Sequence, residues 1–429
     1  MTGPSRLFNK NFVLLWQGQL VSLFGVQAYA IAMMFWIKQE TGSATLMGLV
    51  MMVSQIPGVI LGPVSGVFVD RYSRWMIIVG CDIIRGIVTI ALAGLVFFSP
   101  DNHNVIIIAL FTVGLISATA SAFFNPAVVA VIPDLVPAEN LAVANSMQSF
   151  SMQVSNTVGM GVGGVLFRFF GASMLFFIDG ITYLFSAASE MFIRIPQKFP
   201  DTDQDSRSNL RRLIDDVREG FLFIWKNRGM RNLFFTFTLI SFFLVPGMVL
   251  TPFFVEDYLD AAPDWYGYIT GGFGFGSIIG FVIAAGLKVP GSIRGKMNIA
   301  SIILLTMFLT VFGFLRVKEL VVVNMIMAGI MQGFFSVNFL TIIQQTTPGW
   351  IRGRVFAVMT TISGALVPLA MGLTGIIADL LNQNVPLVLI LGGALSAVSC
   401  IILAFSRDFR EYMAYEPGPE KPVEQMPNQ

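Results

Sequence analysis

Gly66-Val67-Phe68-Val69-Asp70-Arg71-Tyr72-Ser73-Arg74 is a short charged turn set between two long apolar blocks, 43–69 and 75–98. A bilayer core about 30 Å thick needs roughly 20 apolar residues per helix, so each block is long enough to cross it. A turn joining two such helices must reach water, and charge is what solvates it. The order is narrower than solvation requires: glycine stands four residues before Asp70, Arg71 follows at once, and Arg74 comes three later.

Outward from this turn the apolar pattern repeats. Of 429 residues, 55% are hydrophobic and only 12% are charged, with a mean hydropathy of +0.75. Soluble domains carry roughly 25% charged residues, so this chain lacks the material for a water-facing surface. Spans are expected at 12–37, 43–69, 75–98, 105–132, 140–166, 172–194, 231–256, 265–288, 296–315, 319–345, 354–380 and 385–406. Long uniform blocks are not the short alternating strands of a membrane barrel. The fold class is therefore all-α integral membrane protein with twelve transmembrane helices. Met1–Asn11 offers no cleavable leader, so the first block is expected to remain as helix one. Cys81 and Cys400 both fall inside spans, where they read as small buried apolar residues and not as a disulfide or metal site.

Twenty-one of the 26 Lys and Arg fall on the side that also carries both termini. Lys38, Arg168, Arg316 and Lys318 lie on the other, and Arg85 is within a span. This asymmetry predicts that both ends are cytoplasmic, in a cytoplasmic (inner) membrane. The longest polar stretch, 195–230, separates a six-helix unit at 1–194 from another at 231–406, with 407–429 expected to be a disordered tail. Within that stretch Leu210, Leu213, Ile214, Val217, Phe221 and Ile224 recur at helical spacing, opposite Arg211, Arg212, Asp215, Asp216, Arg218 and Glu219. This pattern predicts an amphipathic connector helix at the membrane surface.

The halves echo one another. Asn9-Lys10 ahead of helix one matches Asn227-Arg228 ahead of helix seven. Gly58, Gly62 and Gly66 in helix two match Gly272, Gly276 and Gly280 in helix eight. Glycine every fourth residue makes a smooth stripe that lets another helix approach closely.

The turn at 66–74 resembles the signature G-x-x-x-D-R-x-x-R of the major facilitator superfamily, placed between helices two and three. Ser73 and Trp75 depart from it, standing where a glycine and a basic residue are common. Other stretches resemble the macrolide-efflux and enterobactin-exporter branch of drug and siderophore exporters. They are Asn11-Phe12 with Trp16, Gln19 and Ser22, Asp82-x-x-Arg85, Phe124-x-Pro126-Ala127, Ile132-Pro133-x-Leu135-Val136-Pro137, Asn145-Ser146, Ile178-Asp179 and Gly353-Arg354-Val355-Phe356. Gly159-Met160-Gly161-Val162-Gly163-Gly164 is similar to an antiporter element, with Met160 in place of its proline.

The resemblance implies two pseudo-symmetric six-helix bundles that rock about a central cavity. It implies export of an amphipathic small molecule by alternating access, with protons as the coupling ion and no cofactor. Gly66, Asp70, Arg71 and Arg74 would form a cytoplasmic gate, Asp70 latching near the start of helix eleven. The expected partners are membrane lipid and a small-molecule substrate, the expected state is a monomer, and no nucleic acid is involved.

Among intramembrane charges, Asp82 and Arg85 are three apart and can pair along one helix face. Asp179 falls on helix six, which is peripheral in this fold, and reads as a capping or interhelical hydrogen-bonding group. Relatives often carry aspartate after the glycine that corresponds to Gly25; Val26 and neutral Gln27 stand here, so helix one supplies no carboxylate. His103 reads as a solvated loop residue. The remaining mid-depth polar groups, Gln27, Gln55, Gln153, Gln332 and Asn338, are the expected substrate-binding amides, with Phe35, Trp36, Phe242, Phe243, Phe334 and Phe335 as aromatic walls. A lysophospholipid transporter is the alternative reading, and a non-transporting receptor or scaffold ranks last. The chain has no H-E-x-x-H, no G-x-S-x-G and no histidine cluster, and is not expected to be an enzyme.

Overall fold

The computed structural model describes residues 7–195, 206–287 and 291–415. The helices are α1 (Lys10–Thr41), α2 (Ala44–Val53), α3 (Ile56–Arg71), α4 (Arg74–Phe98), α5 (His103–Leu135), α6 (Leu141–Glu190), α7 (Ser206–Lys226), α8 (Arg228–Phe253), α9 (Asp264–Gly286), α10 (Gly291–Phe312), α11 (Lys318–Thr346), α12 (Gly349–Leu380), α13 (Val385–Ala404) and α14 (Arg407–Met413). No strand occurs among the described residues.

Local chemistry sets the ends. Asn9 accepts a hydrogen bond from the Phe12 amide at 3.1 Å, and Asn227 accepts one from the Met230 amide at 3.0 Å. The matched residues ahead of the two halves are thus matched N-caps. Ser43, Ser73 and Asn384 cap α2, α4 and α13 in the same way.

Two expected spans take unexpected forms. The block at 43–69 divides into α2 and α3 at Ser54–Gln55, because Pro57 has no amide hydrogen to continue the first helix's ladder. The fifth and sixth spans run together as α6, 50 residues and about 75 Å long at 1.5 Å per residue. That is more than twice a bilayer core. The chain reverses at Gly171, whose φ of 70° is the left-handed conformation that glycine adopts without steric cost. Among the described residues, eleven apolar stretches long enough to span, one of them folded back at Gly171, give twelve crossings and return the chain to its starting side. That side is called the terminal end below, and the opposite one the distal end.

Residues 407–413, expected to begin a disordered tail, form α14 instead. Ser406 caps it, and Phe409 and Met413, one turn apart, are buried against the second half. Residues 416–429, the rest of that expected tail, lie outside the described residues, as do 196–205 of the connector. α7 is the expected connector helix, and it packs along α12. The Leu210, Leu213 and Ile214 side chains of its expected apolar face also lie outside the described set.

The core differs between the two ends of the helices. At the distal end one apolar cluster joins both halves, with Met34, Phe35, Met47, Met51 and Phe167 against Val249, Phe253, Tyr266 and Met371. At the terminal end the clusters are separate. Phe12, Leu15, Ile78 and Phe124 belong to the first half, while Met230, Leu233, Phe339, Val355 and Phe409 belong to the second. The distal end is closed by packing and the terminal end is parted.

Candidate functional site

Below the distal plug lies a cavity of about 800 Å³. Its roof includes Met33, Met51 and Met371, and its walls come mostly from the first half: Val26 and Tyr29 of α1, Gln55 between α2 and α3, Ser117, Ser121 and Asn125 of α5, and Met152, Asp179 and Tyr183 of α6. The second half contributes Met248 and Met371. Flexible thioethers adapt to ligands of varied shape, and a few hydroxyls and amides orient them.

Of the five expected amides, Gln55 lines this cavity, at the break between α2 and α3 where its side chain caps nothing. Gln27 donates to Asn156 Oδ1 at 2.8 Å, across the contact of α1 with α6. Gln153 bonds Thr157 and Gln332 bonds Ser336, each one turn along its own helix, at 3.3 and 3.0 Å. Asn338 is buried and donates to the Phe334 carbonyl at 2.9 Å. Tyr29, Asn125 and the α5 serines were missed because nothing in an apolar helix pattern separates a cavity wall from a lipid face.

Intramembrane charge gathers inside the first half. Arg85 Nη1 donates to Asp82 Oδ1 at 3.3 Å, the pairing that their spacing predicts. Asp179 does not cap a helix: it is buried, it borders the cavity, and a Cβ placed on Gly25 would collide with its Oδ1. Glu190, fully buried at the end of α6, went unnoticed because a charge at a helix end reads as solvated. Cys81 and Cys400 are free thiols, and no cluster suited to a metal ion occurs among the described residues.

The turn at 66–74 sits at the terminal end. Asp70 is largely exposed and pairs with Arg74 at 3.4 Å. Arg74 also reaches Asp134 at 2.8 Å and the Ala130 carbonyl at 2.9 Å, so the turn is tied to the end of α5. Arg71 ends α3, and Gly66 on the same helix has no neighbour where a Cβ would project. At the start of α12, Arg354 binds Asp216 and Glu219 of α7, both at 2.8 Å.

The best-bonded contact between halves is at the distal end and was not anticipated. Lys38 pairs with Glu256 and Asp257, each at 2.7 Å, and Gln39 donates to Glu256 at 2.8 Å. Asp379 of α12 accepts from Ser43 Oγ, the Ala44 amide and the Thr45 amide at 3.0, 3.2 and 2.9 Å. Arg168 meets Asp264 at 3.3 Å. The legible signal was the placing of Lys38 and Arg168 outside the basic side, opposite the Glu256-Asp257 pair. His103 also lies here, 3.5 Å from Glu40.

Known proteins share this architecture. Macrolide efflux protein A of Streptococcus pyogenes is 27% identical over 377 residues, covering 87% of this chain and 90% of that protein. The multidrug efflux pump Tap of Mycolicibacterium fortuitum is 24% identical over 358 residues, 81% of this chain and 84% of the pump. The crystal structure of a bacterial homologue of the iron transporter ferroportin, in an inward-facing state, superposes with a TM-score of 0.70 at 16% identity, over 92% of this chain and 98% of that one. These likenesses and the twelve-crossing fold agree with a sequence profile that matches residues 2–426, and the chain belongs to the family that profile describes, the transmembrane secretion effectors of the major facilitator superfamily.

Proposed function

We propose that this transporter exports an amphipathic small molecule, a drug, siderophore or related metabolite, from the cytoplasm by alternating access driven by protons. The observation that carries the reading is the cavity of about 800 Å³ under a plug that joins the two halves at one end only. Its wall of Met33, Met51, Met152, Met248 and Met371 with Tyr29 and Tyr183 suits a bulky apolar body. Gln55, Asn125 and Ser121 suit a few polar substituents. The terminal end faces the cytoplasm in this reading, which the excess of Lys and Arg on that side supports. The protein then stands open to the compartment from which an exporter loads. Gly66, Asp70, Arg71 and Arg74 form the gate that closes there in the opposite state, Asp70 docking at the positive N-terminus of α12 once Arg354 and its α7 partners move aside.

Reconstitution in liposomes with an imposed pH gradient tests this. Gradient-driven uptake of a macrolide or a siderophore is the expected result. Uptake of a lysophospholipid in its place would move the reading to lipid transport, and transport indifferent to the gradient would remove proton coupling.

A further inference from the structure

Asp82, Arg85, Asp179 and Glu190 are buried together where α4 packs on α6, exposed by 0%, 4%, 2% and 0%. Arg85 is the only Lys or Arg buried among the described residues. Its guanidinium lies against the rings of Phe124 and Tyr183, 4.6 and 5.4 Å from their centroids, and it pairs with Asp82. Asp82 Oδ2, Asp179 Oδ1, both Glu190 carboxyl oxygens, and Arg85 Nε and Nη2 have no hydrogen-bond partner among the described residues. Ser186 lies beside Asp82 and Glu190 without a hydrogen bond of normal geometry to either. The other titratable groups facing the array are Tyr29 from α1, Cys81 from α4 and Tyr183 from α6; α5 presents Phe124.

Three ionised carboxylates around one guanidinium would leave two uncompensated negative charges in a low-dielectric interior, where bare charge is strongly disfavoured. Two bound protons cancel them. Each also turns an acceptor-only oxygen into a donor for its neighbours. Asp179, Tyr183, Ser186 and Glu190 fall on one stripe of α6, running from the cavity wall toward the terminal end.

We propose that Asp82, Asp179 and Glu190 form a proton-binding site around Arg85, which holds two protons at rest and exchanges one with the cavity through Asp179. In each transfer an O–H bond of one carboxylic acid breaks as another forms on a neighbouring carboxylate, and Arg85 keeps its charge throughout. Only the role of this exchange in driving export rests on the function proposed above; the proton binding does not.

Infrared spectroscopy of the purified protein in lipid nanodiscs tests the site, read at the carbonyl stretch of protonated carboxyls across a pH series. A protonated-carboxyl band at neutral pH is expected in the wild type, with separate components lost in Asp179→Asn and in Glu190→Gln. A wild-type spectrum without that band overturns the proposal whether or not either variant folds. In liposomes carrying a pH gradient, both variants should lose gradient-driven macrolide uptake at least tenfold while keeping downhill exchange. Wild-type driven uptake in both would overturn the role of this exchange in driving export. A band that behaves as expected in a wild type indifferent to the gradient would uphold the site and remove proton-driven export alone.

Discussion

Asp379 shows how one side chain serves two purposes. Its carboxylate takes the first two amides of α2 and the hydroxyl of Ser43, so negative charge meets the positive end of a helix. Ser43 meanwhile caps the Leu46 amide at 3.1 Å, which leaves the first turn of α2 well satisfied. Asp379 belongs to α12, however, so the cap is also a clamp between the halves, and it must break whenever the distal end opens. Loss of a cap costs about 1 kcal/mol. Asp379→Ala should therefore raise the distal-open population about fivefold, by the usual conversion of 1.4 kcal/mol to a factor of ten. Spin labels at Asn102 and Leu380, one on each half at that end, read this as a longer distance component. A wild-type distance distribution would mean that the apolar plug and the other ion pairs hold the closure without Asp379.

The elements divide into those that pack closely and those that leave room, and glycine serves both. Gly48 of α2 abuts the Met371 carbonyl of α12, while Gly375 abuts the Ala44 carbonyl, so these backbones touch with no side chain between them. A leucine at 375 has no space, and Gly375→Leu should part α2 from α12, lowering transport at least tenfold while the protein still inserts. Retained transport with an intact distal closure, read by the same label pair, would show that α12 can shift to accept the side chain. The spacing of the paired glycine stripes predicts equivalent packing in the two halves. Gly276 and Gly280 do lie against α11 carbonyls, but Gly58 and Gly62 border the cavity and meet nothing. The twelve crossings were legible because a bilayer imposes a length on each apolar block. The roles of the faces were not, because lipid, the distal plug and the cavity wall all accept apolar side chains. Pairs such as Ser43 with Asp379, 336 residues apart, leave no local trace. Asp179 was legible as a charge, but its opening onto the cavity depends on how α6 is rotated against α1 and α4.

At the scale of the whole molecule, the apolar plug and the ion pairs that join the two halves among the described residues both lie at the distal end, so the described state is held shut there. Export requires the reverse state at comparable free energy, since a transporter locked in one form moves nothing. The interactions that stabilise the reverse state must then lie at the terminal end, and the turn at 66–74 is one place where the first half presents charge there. Asp70 is 62% exposed there, with one 3.4 Å ion pair, to Arg74, among the described residues, an arrangement that leaves the carboxylate available to a second partner. The N-terminus of α12 offers main-chain amides and a positive dipole across the opening. Asp70→Asn keeps the shape and removes the charge. Transport should fall severalfold, with membrane insertion and melting temperature close to wild type, because the described state does not depend on that charge beyond a surface pair worth about 1 kcal/mol or less. A cysteine placed at Ser121, on the cavity wall, should become more reactive to a charged thiol reagent added from the terminal side, since the variant spends more time open there. If labelling and transport both match the wild type, Asp70 has no part in closing the terminal end, and another contact must hold the form closed there.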